Sequence, residues 1–364
     1  VPNKQQRQHI DTFQKSECYE DWKWPRMINS RCDAFKVWSG PLFKSIENVL
    51  YKLPYLVKHV PVSERFQSVK RMRKSGRRYF CTDFTAFESH FTPEIMQALE
   101  LQLYRWCLRD FPDVEILCRT ISGKNKLHMR CGIRADLHGR RMSGDMCTSL
   151  GNGFTNLMLI LYICHCHGWS EDEIDILVEG DDGLFSLPGA ITIEEYARLG
   201  FTIKLEEVND PGEASFCGLL FSESDQCIKS PVKFLAKFGW THSCLHAGIS
   251  TMRALLRAKA LSAVYETPCC PIITPIARRA LELTRGVVPR WDDLDCYHRE
   301  FIGVPRDESV LQPYEPTENT RLFFEHEFGI TVETQLAIEN IISCSDDLVD
   351  IERMLPDNAA MLEY

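Results

Sequence analysis

The 364-residue chain is 44% hydrophobic and 26% charged, ordinary values for a soluble globular protein with room for two or three subdomains. A net charge of −9 excludes a protein that coats nucleic acid uniformly, yet residues 1–80 hold 17 Lys/Arg against 7 Asp/Glu; one basic surface for polyanions is expected beside acidic surfaces suited to metal ions. The 16 cysteines have no repeated spacing, which argues against a disulfide scaffold and for reduced, buried thiols in a cytosolic protein.

The chain starts at Val1 rather than Met, which points to a piece of a longer polyprotein, and its first twenty residues are too polar for a signal peptide. Residues 36–78 read as mostly helical, through Leu42, Phe43, Ile46, Val49 and Leu50, and end in the basic run Lys70, Arg71, Arg73, Lys74, Arg77, Arg78. Arg78 to Phe84 reads as a strand leading into Asp83. Pro93 opens a helix that continues from Glu94 to Leu108. Residues 111–141 read as irregular and basic. Gly144 opens a loop before a long buried helix from Leu150 to His167. Within that helix the longest apolar run, Leu157 to Cys164, is far shorter than the roughly 20 residues that span a bilayer. Cys164, His165, Cys166 and His167 invite a zinc reading, but neighbours on a helix point different ways and no second ligand pair lies nearby, so packing is their expected role.

Ile174 to Leu187 is the clearest hairpin, two apolar strands around the turn Glu179-Gly180-Asp181-Asp182. A helix at Ile193–Leu199, a strand at Phe201–Leu205 and a second hairpin from Ser215 to Ile228 follow. From Pro231 onward the pattern is helical, with an amphipathic segment from Met252 to Val264. Strands alternating with helices before an all-helical end indicate an α+β core and a helical domain.

Two adjacent acids in a tight turn are ordinarily turn formers. Asp83 at the end of another strand changes the reading of Asp181 and Asp182. Strand-end carboxylates set side by side repel unless a divalent cation lies between them, and hard oxygen ligands suit magnesium. Two such ions about 3.5–4 Å apart activate an attacking oxygen and stabilise a leaving one in phosphoryl transfer.

The order Asp83-x4-Glu88, Ser143-Gly144-x3-Thr148-x3-Asn152 and Gly180-Asp181-Asp182 resembles motifs A, B and C of the RNA-dependent RNA polymerases of positive-strand RNA viruses. Upstream, Lys15-x-Glu17, Lys23-x-Pro25-Arg26 and Arg31 resemble motif F, the basic finger over the incoming triphosphate. Downstream, Gly200-Phe201-Thr202-Ile203-Lys204 resembles motif D and Phe216-Cys217-Gly218 motif E. The resemblance covers residues 15 to about 230, with a tombusvirus- and nodavirus-like flavour.

The resemblance implies an α+β right-hand polymerase: a palm of antiparallel sheet plus helices, partial fingers and a helical thumb. The boundaries it suggests are 1–78 partial fingers with the basic finger motif, 79–110 palm, 111–141 a fingers insertion, 142–230 palm and 231–364 thumb. Asp83 and Asp181 would hold two Mg2+ ions, which Mn2+ can replace, with Asp182 as a weaker ligand. Lys15, Lys23, Arg26 and Arg31 would neutralise triphosphate charge, Arg forks suiting phosphate oxygens. Lys204 would protonate the leaving pyrophosphate. Glu88, Ser143, Thr148 and Asn152 would recognise the ribose 2′-hydroxyl, which only RNA presents. Many family members carry Asp where Glu88 stands, so its contact differs in reach. Gly144 would let the loop bend as template moves, and Phe216, Cys217 and Gly218 would cradle the 3′ end of the primer strand.

Template and product would be gripped through backbone phosphates by the Lys70–Arg78 run, by Arg130, Arg134, Arg140 and Arg141, and by Lys233, Lys237, Arg253, Arg257 and Lys259. Other expected partners are ribonucleoside triphosphates and further viral replication proteins. The expected location is host cytoplasm, at membrane-associated replication complexes reached through other segments or proteins. A reverse transcriptase, or a catalytically dead palm acting as an RNA-binding scaffold, are the alternatives. The Gly before the aspartate pair and the Thr148–Asn152 pattern weigh against the first, the three retained acids against the second.

Overall fold

The computed structural model describes residues 1–15, 22, 24–224, 226–239, 241, 244, 246–290, 311 and 313–345. In chain order its elements are α1 (Lys4–Gln8), β1 (His9–Gln14), β2 (Met27–Arg31), α2 (Asp33–Leu50), α3 (Val62–Met72) and β3 (Arg78–Phe84). A 3₁₀ turn (Phe87–His90) leads to α4 (Pro93–Ala98), α5 (Glu100–Cys107), α6 (Val114–Ile121), β4 (Lys124–Met129) and β5 (Arg134–His138). There follow α7 (Thr148–Cys166), β6 (Asp175–Glu179), β7 (Asp182–Leu187), α8 (Ile193–Arg198) and β8 (Ile203–Val208). The remainder comprises β9 (Leu220–Phe221), β10 (Cys227–Ile228), α9 (Pro231–Leu235), α10 (Ile249–Glu266), α11 (Ile273–Leu283), α12 (Glu318–Phe328) and α13 (Val332–Cys344).

The described residues fall into two compact units, one drawn from 1–59 and 72–217, the other from 60–71 and 218–345. In the first, an antiparallel sheet runs β6-β7-β3-β8. Its inner face packs Phe80, Phe84, Ile176, Val178, Phe185 and Leu187 into one core with Leu150, Leu157, Ile160 and Ile163 of α7. A second sheet runs β2-β1-β4-β5, antiparallel except for the parallel β1–β4 pair. The other unit is helical apart from the β9–β10 pair. Ala260, Ala263 and Val264 of α10 meet Ala277 and Ala280 of α11, and Phe324, Ile338 and Ile342 join Ile272, Ile273 and Ile276. None of the described helices is long and apolar enough to cross a membrane.

Several elements differ from the sequence reading. Residues 111–141 are ordered as α6 and the β4–β5 hairpin. The spacing Val114, Leu117, Cys118, Ile121 is that of one helix face, and β4 is completed by β1, more than 110 positions away in the chain, a partner no local pattern announces. The helix expected from Glu94 to Leu108 breaks at Leu99 (φ −116°, ψ −93°), immediately before the buried Glu100. The second hairpin has strands of only two residues each. The Met252–Val264 segment is helical but not one-sided, since residues 260–264 are all buried.

Candidate active site

The turn between β6 and β7 needs a left-handed residue, and Gly180 supplies it with φ +63°. Beyond it Glu179 pairs with Asp182 and Val178 with Gly183. Gly183 also faces Thr82 of β3, so Asp83, one residue further on, runs level with Asp182. A Cβ on Gly183 would lie 2.5 Å from Thr82 Oγ1 and from the Phe185 ring; only glycine lets β3 and β7 close this tightly. On the other side of β3, Asp83 pairs in register with Lys204 of β8. Directly opposed residues of antiparallel strands share a face, so the Asp83 carboxylate and the Lys204 ammonium stand on one side of the sheet.

The carboxylates perturb one another. Burial first, then repulsion from Asp181, Glu179 and Asp83, pushes the Asp182 carboxyl up to about 7. Asp181 is raised as well, by desolvation and by the charges of Glu88 and Asp83, against the opposing pull of its own backbone N–H and of Arg26. Desolvation, with Asp182, Glu206 and Asp83 nearby, pushes the Cys81 thiol up to about 12, so Cys81 stays protonated. Carboxylates crowded together with perturbed protonation are a feature of functional sites.

One helix holds this turn. Asn156 of α7, fully buried, directs its Nδ2 at the carbonyl oxygens of Gly180, Asp181 and Asp182, at 3.3, 3.1 and 3.2 Å. One turn earlier, Asn152 Nδ2 donates to Glu88 Oε1 at 3.4 Å, joining two of the four residues expected at the sugar. The sequence reading missed Asn156. Its signal was available: a second asparagine four positions after Asn152, in an otherwise apolar helix, points to the same face.

The other two residues of that quartet are used differently. The Ser143 hydroxyl accepts from Asn29 N–H at 3.1 Å and donates to the Met27 carbonyl at 3.1 Å, while Thr148 Oγ1 donates to the Met142 carbonyl at 2.8 Å. Gly144 N–H donates to the Asn29 carbonyl at 2.9 Å. A Cβ on Gly144 would sit 3.0–3.1 Å from Asn29, Ile28 and Ser30. The 143–144 loop is therefore stitched to β2, and Gly144 serves close backbone approach here.

Of the basic finger residues, Arg26 lies within electrostatic reach of Asp181. Lys15 N–H donates to the Arg26 carbonyl at 2.9 Å, extending the β1–β2 hairpin. Lys23 and Glu17 lie outside the described residues. Arg31 is 1% exposed and gives Nε to Asp145 Oδ2 at 3.0 Å. It is committed to a buried ion pair in this structure, and Asp145 is nonetheless pushed above the usual carboxylate range by burial. Phe216 is buried, Cys217 and Gly218 both have left-handed backbones (φ +55° and +75°), and the Cys217 thiol donates to Glu179 Oε2 at 3.4 Å.

The viral RNA-dependent RNA polymerase family matches residues 8–345. The chain belongs to this family. Similar proteins include the RNA-directed RNA polymerases of Pariacoto virus (22% identity, 76% of this chain, 29% of that protein) and of pothos latent virus (25%, 86% and 43%). That of tobacco necrosis virus strain D is 24% identical over 87% of this chain and 46% of its own length. The chain thus spans less than half the length of these curated relatives, which support its tombusvirus- and nodavirus-like character.

For a member of the polymerase family, many of its basic residues are occupied internally. In the Lys70–Arg78 run, Arg73 chelates Asp210 at 2.9 Å, Lys74 meets Asp175 at 2.7 Å and Arg78 grips Glu207 at 2.6 Å. Arg141 is fully buried against Glu100 at 2.6 Å. Arg253 and Arg257 donate to the carbonyls of Leu283, Leu281 and Thr284, closing the C-terminal end of α11. These contacts compensate acids and helix ends within the fold. The Cys164–His167 cluster is also dispersed: Cys164 enters the core, Cys166 is exposed, and His167 bonds Glu195.

Proposed function

We propose that this chain carries the catalytic centre of a template-directed RNA synthesis enzyme, which joins ribonucleotides by two-metal nucleotidyl transfer to replicate and transcribe a viral RNA genome. The observation that carries this is Asp83 at the end of β3, level with Asp182 and beside Asp181 on a turn clamped by Asn156. In this reading the β6-β7-β3-β8 sheet with α7 is the palm, residues 1–78 and 111–141 belong to the fingers, and the helices after Pro231 form the thumb.

The donor set suits magnesium: three hard carboxylates, two of them raised first by burial and then by neighbouring carboxylates, whose repulsion a divalent cation would relieve. Among the described residues no three acidic, histidine or cysteine side chains form a ready metal cage. Magnesium normally takes only one or two carboxylates and completes its octahedron with waters and substrate phosphates. Asp83 and Asp181 would hold the two ions, with Asp182 assisting; Mn2+ would be accepted too. When bound, the ions supply activation of the 3′-hydroxyl and charge stabilisation on the leaving pyrophosphate.

The protein's own groups do the rest. Arg26 adds positive charge beside Asp181, where a triphosphate would enter. The Glu88–Asn152 pair offers an acceptor and a donor to a 2′-hydroxyl, and this favours RNA over DNA synthesis. Lys204, on the same side of the sheet as Asp83, would give a proton to pyrophosphate; its register opposite Asp83 supports this reading. RNA template and product, ribonucleoside triphosphates and other viral replication proteins are the proposed partners, and the proposed setting is host cytoplasm at membrane-associated complexes.

The test is Mg2+-dependent incorporation on a homopolymer RNA template. Wild type should extend, and Asp83→Ala or Asp181→Ala should abolish extension with the fold intact, since these carboxylates add little to the core. Substantial extension by Asp181→Ala would remove the two-metal assignment.

A further inference from the structure

The segment after Asp83 turns through a left-handed alanine, Ala86 (φ 51°, ψ 51°), a conformation that L residues adopt only when their surroundings impose it. Its carbonyl is held by three groups: Ser89 N–H at 2.8 Å, Ser89 Oγ at 2.7 Å and His90 Nδ1 at 3.2 Å. The other nitrogen of the same imidazole, His90 Nε2, lies 3.3 Å from Thr202 N–H and 3.3 Å from Thr202 Oγ1. A carbonyl can only accept and a backbone N–H can only donate, so the two contacts together select the neutral tautomer with its proton on Nδ1. The ring also stacks on Phe201, at 5.6 Å and 27°. A second bond closes the bridge from the opposite direction, Thr85 N–H to the Thr202 carbonyl at 3.0 Å.

The two ends of this bridge matter for the chemistry. Ala86 lies between Asp83 and Glu88. Thr202 lies two residues before Lys204, which pairs in register with Asp83. We infer that His90 is a positioning residue: it couples the turn that presents Glu88 to the segment that presents Lys204, so that carboxylate, sugar contact and proton donor keep one arrangement. Phe84, Phe87 and Phe91 pack around Phe201 with ring centroids 5.6–6.2 Å away, so the apolar part of the junction holds without the imidazole. The imidazole supplies the polar link and fixes the direction of the Ala86 carbonyl. The role assigned to His90 rests on the RNA-synthesis reading; the hydrogen-bonded bridge does not.

Three substitutions in the full chain separate the possibilities. His90→Phe keeps a ring against Phe201 and loses both polar links; His90→Ala loses both kinds of contact; His90→Asn retains a donor and an acceptor. Single-turnover incorporation of one nucleotide should slow about thirtyfold in His90→Phe, the scale set by two neutral hydrogen bonds. Half-saturation by nucleotide should be little changed, and His90→Asn should recover part of the rate. Exchange of the Thr202 amide, read in the same proteins, should quicken about tenfold in His90→Phe. A His90→Phe variant with wild-type rate, or one whose whole loss lies in nucleotide affinity or melting temperature, would overturn the positioning role. If wild type incorporates nothing on any template, the RNA-synthesis reading fails instead. Unchanged Thr202 exchange in His90→Phe would then remove the bridge itself.

Discussion

Replacing Asn156 with leucine removes the amide that spans the 180–182 turn while keeping side-chain volume. In the structure its Nδ2 serves three carbonyls at 3.3, 3.1 and 3.2 Å, and with two N–H groups available at most two full hydrogen bonds are lost. At about 1 kcal/mol for each neutral bond, Asn156→Leu should cost about 2 kcal/mol. That corresponds to a fall in Tm of roughly 4–8 °C for a unit of this size. The effect on nucleotide addition should be larger, because the turn carries both Asp181 and Asp182. A misplacement of about 1 Å at reacting groups costs on the order of 10²-fold in rate. Single-turnover incorporation on a homopolymer template, run beside a thermal melt, measures both. Asn156→Asp should do worse than leucine, since an ionised carboxylate would face three carbonyls with nothing to donate. If Asn156→Leu keeps both the wild-type rate and the wild-type Tm, the turn is held by its own glycine and strand pairing, and the clamp carries no weight.

Four further outcomes follow from the same geometry. Asn152→Ala should narrow the preference for ribonucleotides over 2′-deoxynucleotides several-fold to about tenfold, the value of one lost neutral hydrogen bond; an unchanged ratio of incorporation efficiencies would make Asn152 structural. Lys204→Arg should slow the chemical step by about 10²–10⁴-fold at nearly constant nucleotide affinity, because arginine keeps the charge but cannot release its proton near neutral pH; single-turnover kinetics decides this. Asp182, raised to about 7 in the folded protein against about 3.9 in an unfolded chain, binds its proton more tightly when folded. Its contribution to stability in metal-free protein is therefore lost as pH rises from about 4 through 7. The Tm advantage of Asp182→Asn over wild type should accordingly grow across that window and level off above it; a flat difference would refute the assignment. Gly151→Ala should be severely destabilising, by about 3–5 kcal/mol in a denaturant melt, because the new methyl would lie 2.3 Å from both Arg141 Nη2 and Glu100 Oε2, side chains fully buried as an ion pair.

The parts of this fold that local pattern encodes were legible. Strand β3, the β6–β7 hairpin and helix α7 announce themselves by apolar alternation, a glycine turn and a long apolar run. Asp181-Asp182 alone would read as turn formers; they could be picked out because Asp83 ends another strand and the three acids stand in the order of the resembled motifs. What was hidden depends on distant partners. The buried ion pairs of Arg31 and Arg141, expected at triphosphate and RNA phosphates, could not be foreseen because their acids, Asp145 and Glu100, lie far along the chain. The acidic partners of the basic run before β3, Asp210, Asp175 and Glu207, are likewise remote in sequence and meet it only in the fold. Asn156 was overlooked because an asparagine inside a hydrophobic helix shows its purpose only once the turn it holds has been placed.

Helix α7 has one consequence for fidelity. Asn152, which meets Glu88, and Asn156, which holds the aspartate turn, are four residues apart on one rod, about 6 Å along its axis. A hydrogen-bonded helix resists stretching over so short a span, so in the proposed reading the sugar contact and the aspartate turn would not shift independently. If the proposed roles hold, a nucleotide whose ribose pushed on Asn152 would transmit that displacement to the aspartates and slow its own incorporation. Discrimination and speed would then be one mechanical property of the helix, and a substitution that loosens the first should also dull the second.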